Sequence, residues 1–311
     1  MANGKRDLVI GSRGSKLALW QAGYIARTLE GLAGVGVTIE RIKTSGDMIL
    51  DAPLAKIGGK GLFVKELETA LAAGEIDLAV HSMKDVPTEL PDGLFIAAMT
   101  EREDPRDVLV SAGNLGLDDL REGARIGTSS LRRRAQLLKY RPDLVIGDLR
   151  GNLDTRLRRI EEGAYDATIL AAAGIDRMGW SEKIAERIPY EIMINAVGQG
   201  AIGVEIRSDD DFMIEMCGKI THLPTAVAVR AERRLMRRLE GGCQVPIGAL
   251  GTLGGGRLKL QAVVASLDGD TVLRDEVSGP AADPEALGDE LAERLLSQGA
   301  NEILEAIRSC L

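Results

Sequence analysis

From residue 7 to residue 207 the chain repeats one series of segments: a short β-branched run, a polar loop, and a stretch with helical spacing. Asp7 to Ile10 is the first such run, and the helical stretch after it places four apolar side chains on one face: Ala18, Ala22, Ile25 and Leu29. The run from Ile76 to Val80, apolar except at Asp77, is typical of a strand buried on both faces of a parallel sheet. This order predicts an α/β fold of the doubly wound type.

The same order restarts after the charged stretch from Thr100 to Asp107. The glycine-rich segment Val197 to Gly203 and the apolar run after it predict that the chain then returns to the first lobe. We therefore predict two similar doubly wound lobes, residues 1–99 with 200–217 and residues 100–199. Two lobes joined by two crossings can hinge around a ligand.

The pattern changes after Pro224. A long helical stretch runs to Leu239, and a turn-rich loop follows from Gly241 to Pro246. Beyond the loop come three strand-like runs, with a turn at Asp268, and closing helical stretches from Pro284. Strands with flanking helices predict an α+β unit, which we assign to residues 222–311 as a third domain.

Charge limits the possible partners. The net charge is −8 and the isoelectric point is near 5.1. This balance argues against a nucleic-acid or membrane-surface binder, because such proteins need positive charge. No apolar run reaches the length of a membrane span, and Met1 to Gly11 lacks the apolar core of a signal peptide. The sequence thus predicts a cytoplasmic protein that binds neither nucleic acid nor membrane.

The three cysteines have no paired spacing, which predicts free thiols in a reducing compartment. Cys217 and Cys310 lie on apolar helical faces and are predicted to be core residues. Cys243 stands in the turn-rich loop, where a thiol is reachable, and its sequence neighbours leave both a structural and a reactive role open. With only His81 and His222 available, no common zinc spacing is present, and we expect no metal.

Basic residues are concentrated where strands are predicted to end, which is where ligands bind in open α/β sheets. These residues are Arg13, Lys84, Arg132, Arg133, Arg150, Arg156 and Arg177. A solvated charged face is the alternative for any one of them. Thr128 to Ser130 can cap a helix, but cations in the first turn of that helix oppose its dipole, and an anion would reverse the penalty. We infer a polyanionic ligand.

Other charged and glycine-rich positions give weaker evidence for a functional site. Four arginines stand beside acidic residues on helical stretches and predict solvated faces: Arg158, Arg159, Arg237 and Arg238. Asp85 is the best acid or base candidate, although a surface pair with Lys84 would look the same in the sequence. Gly198 to Gly203 matches a dinucleotide fingerprint, but a strand rather than a helix is predicted after it, so nicotinamide binding is disfavoured.

Several long motifs in one order resemble the hydroxymethylbilane synthase (porphobilinogen deaminase) family over essentially the whole chain. They are residues 14–21, 58–67, 81–87, 101–107, 127–133, 149–152, 196–200 and 242–248. The resemblance implies a three-domain fold. Its first two domains would be similar to type II periplasmic binding proteins, and its third would present a cysteine that carries the cofactor.

The resemblance also implies an activity. Members of this family join four porphobilinogen molecules with loss of ammonia and release linear hydroxymethylbilane by hydrolysis, in tetrapyrrole (haem and chlorophyll) biosynthesis. Cys243 would carry a dipyrromethane cofactor as a thioether. Asp85 would be catalytic, assisting ammonia loss and stabilising cationic pyrroles. A monomer is expected, with porphobilinogen as its partner.

Further residues match family positions that contact cofactor or substrate. Cofactor contacts are implied for Lys84, Asp85, Ser129, Arg132, Arg133 and Arg150. Substrate contacts are implied for Arg13, Ser15, Arg156, Arg177 and Gln199. An active-site loop would include Lys56, Lys60 and Phe63.

Two functions of other classes compete with this interpretation. A non-catalytic carboxylate-binding protein would explain the basic strand ends, but not the third domain, the loop cysteine or Asp85. An oxidoreductase would need the glycine-rich stretch to bind nicotinamide. Intact mass separates the first from the synthase, because only the synthase carries a covalent dipyrromethane.

Overall fold

The computed structural model describes residues 6–48, 61–239 and 245–310, which form three β-sheets with helices packed against them. The strands are β1 Leu8–Ser12, β2 Val37–Arg41, β3 Leu78–Ser82, β4 Leu94–Met99, β5 Asp107–Ser111, β6 Arg125–Gly127, β7 Val145–Gly147, β8 Ala167–Ala171, β9 Glu186–Arg187, β10 Ile202–Arg207, β11 Ile247–Gly254, β12 Arg257–Ala265 and β13 Val272–Pro280. The α-helices are α1 Lys16–Ala33, α2 Ser45–Met48, α3 Lys65–Ala72, α4 Leu131–Tyr140, α5 Leu153–Glu161, α6 Ala172–Arg177, α7 Asp211–Ile220, α8 Leu223–Arg238, α9 Pro284–Ser297 and α10 Ala300–Cys310.

The described residues divide into two compact units, residues 6–48, 61–102 and 201–226, and residues 103–200, 227–239 and 245–310. In the first unit one sheet has the order β2-β1-β3-β10-β4. β1 pairs in parallel with β2 and β3, while β10 runs antiparallel to β3 and β4. The predicted return of the chain into the first lobe is therefore confirmed, and β10 is the strand that makes it.

Apolar side chains cover both faces of this first sheet. On one face, Ile25 and Leu29 of α1 and Met213 of α7 pack against Leu8 and Val80. On the other face, residues of α3 pack against Ala79 and Ile76. Strands buried on both faces have continuous apolar sequences, as Leu78 to Val80 of β3 do. The double winding predicted for this lobe is confirmed.

The second unit contains a similar sheet with the order β7-β6-β8-β5-β9. β6 pairs in parallel with β7 and β8, and β5 is antiparallel to β8 and β9. Separate apolar clusters cover its two faces, one around Ile126 and Leu137, the other around Leu157 and Ile175. The prediction of two similar doubly wound α/β lobes is confirmed.

The third sheet is an antiparallel meander, β11-β12-β13, within the second unit. Its core includes Leu235 of α8, Leu291 of α9 and Leu304 of α10, as the α+β pattern predicted. Ile194 packs with Leu250 and Val263, so this sheet is tied to the polypeptide of the preceding lobe. The division into three domains, with the boundaries given above, stays a prediction.

The predictions for two cysteines and for membrane spans concern buried or apolar helices. Cys217 is fully buried on α7, as predicted, and burial raises the pKa of its thiol to about 12. The side chain of Cys310 lies outside the described part of the structure. Among the described residues, none of the helices combines the length and the hydropathy that crossing a membrane requires.

Candidate functional site

Arg13 and Asp85 lie together at the carboxyl ends of two paired parallel strands. Arg13 directly follows β1, and Asp85 ends a 3₁₀ turn, Met83–Asp85, that follows β3. Arg13 Nη1 lies 3.8 Å from Asp85 Oδ2, and the two side chains are 22% and 35% exposed. The strand-end position expected for both residues is therefore observed, and both side chains are accessible to a ligand.

Phe63 extends this group of side chains. The guanidinium carbon of Arg13 lies 4.3 Å from the centre of the Phe63 ring, a cation–π contact that restricts the arginine. The family resemblance implies an active-site loop that contains Phe63 together with Lys56 and Lys60. Those two lysines lie outside the described residues.

Ser15 and Lys84 stand next to this pair in the chain. The Ser15 hydroxyl accepts a hydrogen bond from the backbone N–H of Ala18 at 3.3 Å, so Ser15 caps α1. Lys84 is half-buried in the 3₁₀ turn that carries Asp85. The predicted contacts of Ser15 with substrate and of Lys84 with cofactor stay predictions.

The turn that carries Asp85 is held against β10. The backbone N–H of Met83 donates to the Ala201 carbonyl at 3.0 Å. The Met83 side chain is buried, and its sulfur lies in the space that any side chain at Gly203 would need. Glycine at position 203 therefore lets the turn pack closely on the neighbouring strand.

In the second unit, Arg132 and Arg133 share one buried carboxylate, that of Asp107. Arg132 Nη1 donates to Asp107 Oδ2 at 2.7 Å, and Arg133 Nη2 donates to Oδ1 at 2.7 Å. Gln199 Nε2 donates to the same Oδ1 at 3.0 Å. Burial opposes the ionisation of Asp107, but the charges of Arg132 and Arg133 outweigh it and hold its pKa well below the usual range.

The start of α4 agrees with the capping prediction. The Ser130 hydroxyl accepts a hydrogen bond from the Arg133 backbone N–H at 3.4 Å. The sequence argument also inferred an anionic ligand near the cations of this first turn. Asp107 provides one carboxylate for the two guanidinium groups, so their combined charge exceeds that of their shared partner by one unit.

Other predicted ligands lie at the same edge of this sheet, because β6, β7 and β8 are parallel neighbours. Ser129 follows β6, and its hydroxyl is buried without a hydrogen-bond partner among the described residues. Arg150 follows β7 and is half-buried. Arg177 ends α6, the helix after β8, and donates from Nη2 to the Gly200 carbonyl at 2.7 Å. This agrees with the predicted concentration of polar groups at strand ends.

Arg156 has a more local contact. Its Nε donates to the Gly151 carbonyl at 2.9 Å, across the first turn of α5. By contrast, Arg158 and Arg159 pair with Glu162 and are 61% and 52% exposed. Arg237 and Arg238 are also exposed. The predicted solvated faces are confirmed at these four positions.

The glycine-rich stretch is followed by a strand. β10 begins at Ile202, so the last glycine of the fingerprint, Gly203, already lies in a sheet. The strand predicted after the glycine-rich stretch is confirmed, whereas a dinucleotide fingerprint opens a helix at this point. Cys243, the predicted attachment point of the cofactor, lies outside the described residues.

The sequence did not single out Asp107 or Glu232 as candidates. Asp107 opens the apolar run of β5, and a carboxylate at the start of a buried strand was the available signal. Glu232 is fully buried on α8, and its carboxylate accepts hydrogen bonds from the backbone N–H groups of Gly198 and Gly251, each at 2.7 Å. Glu232 thus fixes the turn that carries Gln199.

The polar groups around Arg132 and Arg133 fit an anionic cofactor. Two guanidinium groups share one carboxylate, and the buried Ser129 hydroxyl has no partner among the described residues. Guanidinium and hydroxyl donors bind carboxylates, and the side chains of a dipyrromethane are carboxylates. The donor set is therefore suited to this group.

Comparisons with known protein families and relatives agree with one another and cover most of the chain. Residues 8–215 match the family described as "Porphobilinogen deaminase, dipyromethane cofactor binding domain", and residues 226–297 match "Porphobilinogen deaminase, C-terminal domain". A porphobilinogen deaminase of Desulforudis audaxviator is 56% identical over 306 residues, which cover 98% of this chain and 99% of the relative. One of Pelotomaculum thermopropionicum is 55% identical over 305 residues, covering 98% of each.

Among solved structures, the chain is similar to the methionine-binding protein MetQ at 12% identity, covering 69% of this chain and 89% of that one with a TM-score of 0.43. The resemblance inferred from the sequence motifs is confirmed by the family matches.

Proposed function

This chain belongs to the porphobilinogen deaminase family, and from that premise we propose that it joins four porphobilinogen molecules, with Asp85 as the catalytic carboxylate, on a dipyrromethane attached to Cys243. Each addition releases ammonia, and hydrolysis then frees linear hydroxymethylbilane for tetrapyrrole biosynthesis. The observation that carries the proposal is the accessible carboxylate of Asp85 beside Arg13 at adjoining strand ends.

The chemistry asks for a carboxylate at this position. When ammonia leaves the aminomethyl group of porphobilinogen, a positive charge develops on the pyrrole. A carboxylate held nearby stabilises that charge, and such fixed charges are worth roughly a hundredfold or more in rate. Asp85 can also accept a hydrogen bond from a pyrrole N–H. Arg13, held against Phe63 and Asp85, is suited to bind a substrate carboxylate.

The cofactor, when bound, supplies the pyrrole carbon to which the first substrate is joined. We assign its carboxylates to Lys84, Ser129, Arg132, Arg133 and Arg150. Substrate carboxylates are assigned to Arg13, Ser15, Arg156, Arg177 and Gln199. Lys56, Lys60 and Phe63 are assigned to an active-site loop. The surplus of guanidinium charge over the single Asp107 carboxylate supports the cofactor assignment.

We further propose a three-domain monomer that works in the cytoplasm and binds no nucleic acid. The net charge of −8 supports the last point, because nucleic-acid binders need a positive balance. Sedimentation of the purified protein tests the monomer, and a mass that is a multiple of the chain mass would contradict it.

The activity is tested by incubating the purified protein with porphobilinogen and measuring substrate, ammonia and linear tetrapyrrole together. We expect one ammonia for each porphobilinogen consumed, and one tetrapyrrole for every four. Saturable binding of porphobilinogen with no ammonia release would instead indicate a carboxylate-binding protein.

A further inference from the structure

Three ionisable side chains are buried on elements of the first unit that include β3, the strand before the turn that carries Asp85. They are Glu68 on α3, His81 on β3 and Glu205 on β10, and they are 9%, 4% and 0% exposed. Buried charged residues are rare unless they are paired, so three together call for an explanation. The proposed chemistry uses none of them directly.

The strand pattern places the three groups on one face of the sheet. Ala79 packs with Leu67 and Leu71 of α3. Side chains two residues apart on a strand share a face, so His81 faces α3 as well. Glu205 is the register partner of Ala79 on the neighbouring strand. His81 Nε2 and Glu205 Oε2 are 2.9 Å apart, a hydrogen-bonded ion pair when the histidine is protonated.

Two carboxylate oxygens of this group lack a hydrogen-bond donor. Glu68 Oε1 and Glu205 Oε1 are both buried without a hydrogen-bond partner among the described residues. Ionised carboxylates only accept hydrogen bonds, whereas a protonated one also donates. Burial raises the pKa of Glu68 to about 7; the charge of Glu205 adds to this effect and His81 opposes it.

Charged groups on the neighbouring elements have other partners. α3 packs against β1, β3 and β10, and β1 carries no charged residue. On β10, Arg207 donates to the carbonyls of Leu71 and Ile76 and pairs with Asp210. On α3, Glu66 accepts hydrogen bonds from Ser45. Among the described residues, His81 is thus the one basic side chain hydrogen-bonded within this group, and its partner is Glu205.

The cluster is connected directly to the catalytic turn. His81 is four residues before Asp85, and Met83 between them is fixed to β10 by its backbone hydrogen bond to Ala201 and its packing on Gly203. Four residues span at most about 14 Å, so the Cα of His81 lies within that distance of the Cα of Asp85. At that distance in a protein interior a unit charge still exerts a substantial field.

We propose that Glu68, His81 and Glu205 form a buried ionisable cluster that gains one negative charge near Asp85 when Glu68 loses its proton to solvent, and so favours the cationic step of the reaction. Glu68 is then a positioning residue that acts through Asp85 and touches no substrate. This inference rests on the proposed role of Asp85. Because the developing charge on the substrate is positive, the ionised cluster is the more active form.

The test compares the holoenzyme with its Glu68→Gln variant from pH 6 to pH 8. The amide keeps the shape of the neutral acid but cannot ionise. We expect kcat of the parent to rise about three- to tenfold across this range. The variant should lack that rise while keeping its KM and its content of dipyrromethane. Glu75→Gln, which removes an exposed carboxylate of the same unit, is the matched control and should keep the parent profile.

A measurement without turnover accompanies the kinetics. In protein labelled with ¹³C at the glutamate carboxyl, one resonance should titrate near neutral pH and be absent from Glu68→Gln. Superimposable pH–kcat profiles of parent and variant, or no glutamate titrating between pH 6 and pH 8, would overturn the inference. Full activity of Asp85→Asn would instead remove the proposed role of Asp85, whatever Glu68 does.

Discussion

The carboxylate of Asp107 accepts two hydrogen bonds from the guanidinium of Arg133, at 3.0 Å from Nε and 2.7 Å from Nη2. Its second oxygen is bound by Arg132, so one acid holds two cations at the start of α4. A buried carboxylate orients both arginines and cancels half of their charge. The remaining charge is what a ligand carboxylate would neutralise.

Replacing Asp107 by Asn should lower the free energy of unfolding by about 3–5 kcal/mol, because it leaves two buried guanidinium groups without their anion. Urea unfolding at pH 7 measures this loss. The matched control is Asp143→Asn, which breaks a more exposed pair with Arg141 and should lower the free energy of unfolding much less. Similar small losses in both variants would mean that Asp107 does not hold the two arginines.

The stabilisation that Asp107 contributes through Arg132 and Arg133 should be lost in acid. Since the folded protein holds the pKa of Asp107 far below its ordinary value of 3.8, its stabilisation is complete above that value. It is lost as the pH falls from there towards the lowered pKa. The stability of the parent should therefore drop more steeply than that of Asp107→Asn below about pH 4.

Replacing Arg132 or Arg133 should reduce function far more than replacing an arginine on the solvated face. Arg133→Leu should reduce assembly of the dipyrromethane or chain elongation at least about tenfold, because a buried charge-assisted contact contributes about 1.5–3 kcal/mol. Arg132→Leu should behave similarly. Arg158→Leu removes a side chain that is 61% exposed and should change neither. Equal, small effects in all three variants would show that the binding site has been misplaced.

The strand-end position of Arg13 and Asp85 could be predicted from the sequence, because that prediction needs only local information. A run of apolar residues identifies each strand, and parallel pairing brings their carboxyl ends to one edge. The N-cap at Ser130 was likewise readable from its hydroxyl and the helix after it.

The partnership of Asp107 with Arg132 and Arg133 could not be predicted in this way. It depends on β5 entering the second sheet antiparallel beside β8, which the apolar pattern does not specify. His81 and Glu205 are 124 residues apart in the chain, and only the return of β10 to the first sheet brings them together. Long-range pairing of buried polar groups is set by register, which neither local spacing nor composition specifies.

Glu68 should make the stability of the protein depend on pH in the opposite direction from Asp107. Its pKa is raised from 4.5 to about 7 in the folded state, so the folded protein binds more protons than the unfolded chain between these values. Stability should therefore fall as the pH rises from 4.5 to about 7. Chemical unfolding at pH 5 and pH 7.5 measures this difference. Glu68→Gln should reduce it, and an unchanged difference in the variant would show that Glu68 titrates normally.

The purified protein should be heavier than its sequence by one dipyrromethane, attached to Cys243. Peptide mapping of the holoenzyme locates the adduct. Cys217 provides an internal control, because its thiol is fully buried with a pKa raised to about 12 and should remain unmodified. Fully active enzyme with a free Cys243, or an adduct on another cysteine, would contradict the attachment.

Asp85→Asn should nearly abolish turnover while leaving the fold and the attached dipyrromethane in place. The amide keeps the shape of the carboxylate and part of its hydrogen bonding, but it loses the negative charge that faces the substrate cation. We therefore expect kcat to fall about a hundredfold or more. A single-turnover assay of ammonia release, on holoenzyme whose cofactor content has been checked by mass, measures the loss. Asp92→Asn, an exposed carboxylate of the same unit, should be fully active. If Asp85→Asn carries its cofactor and releases ammonia at the parent rate, Asp85 has no part in the reaction.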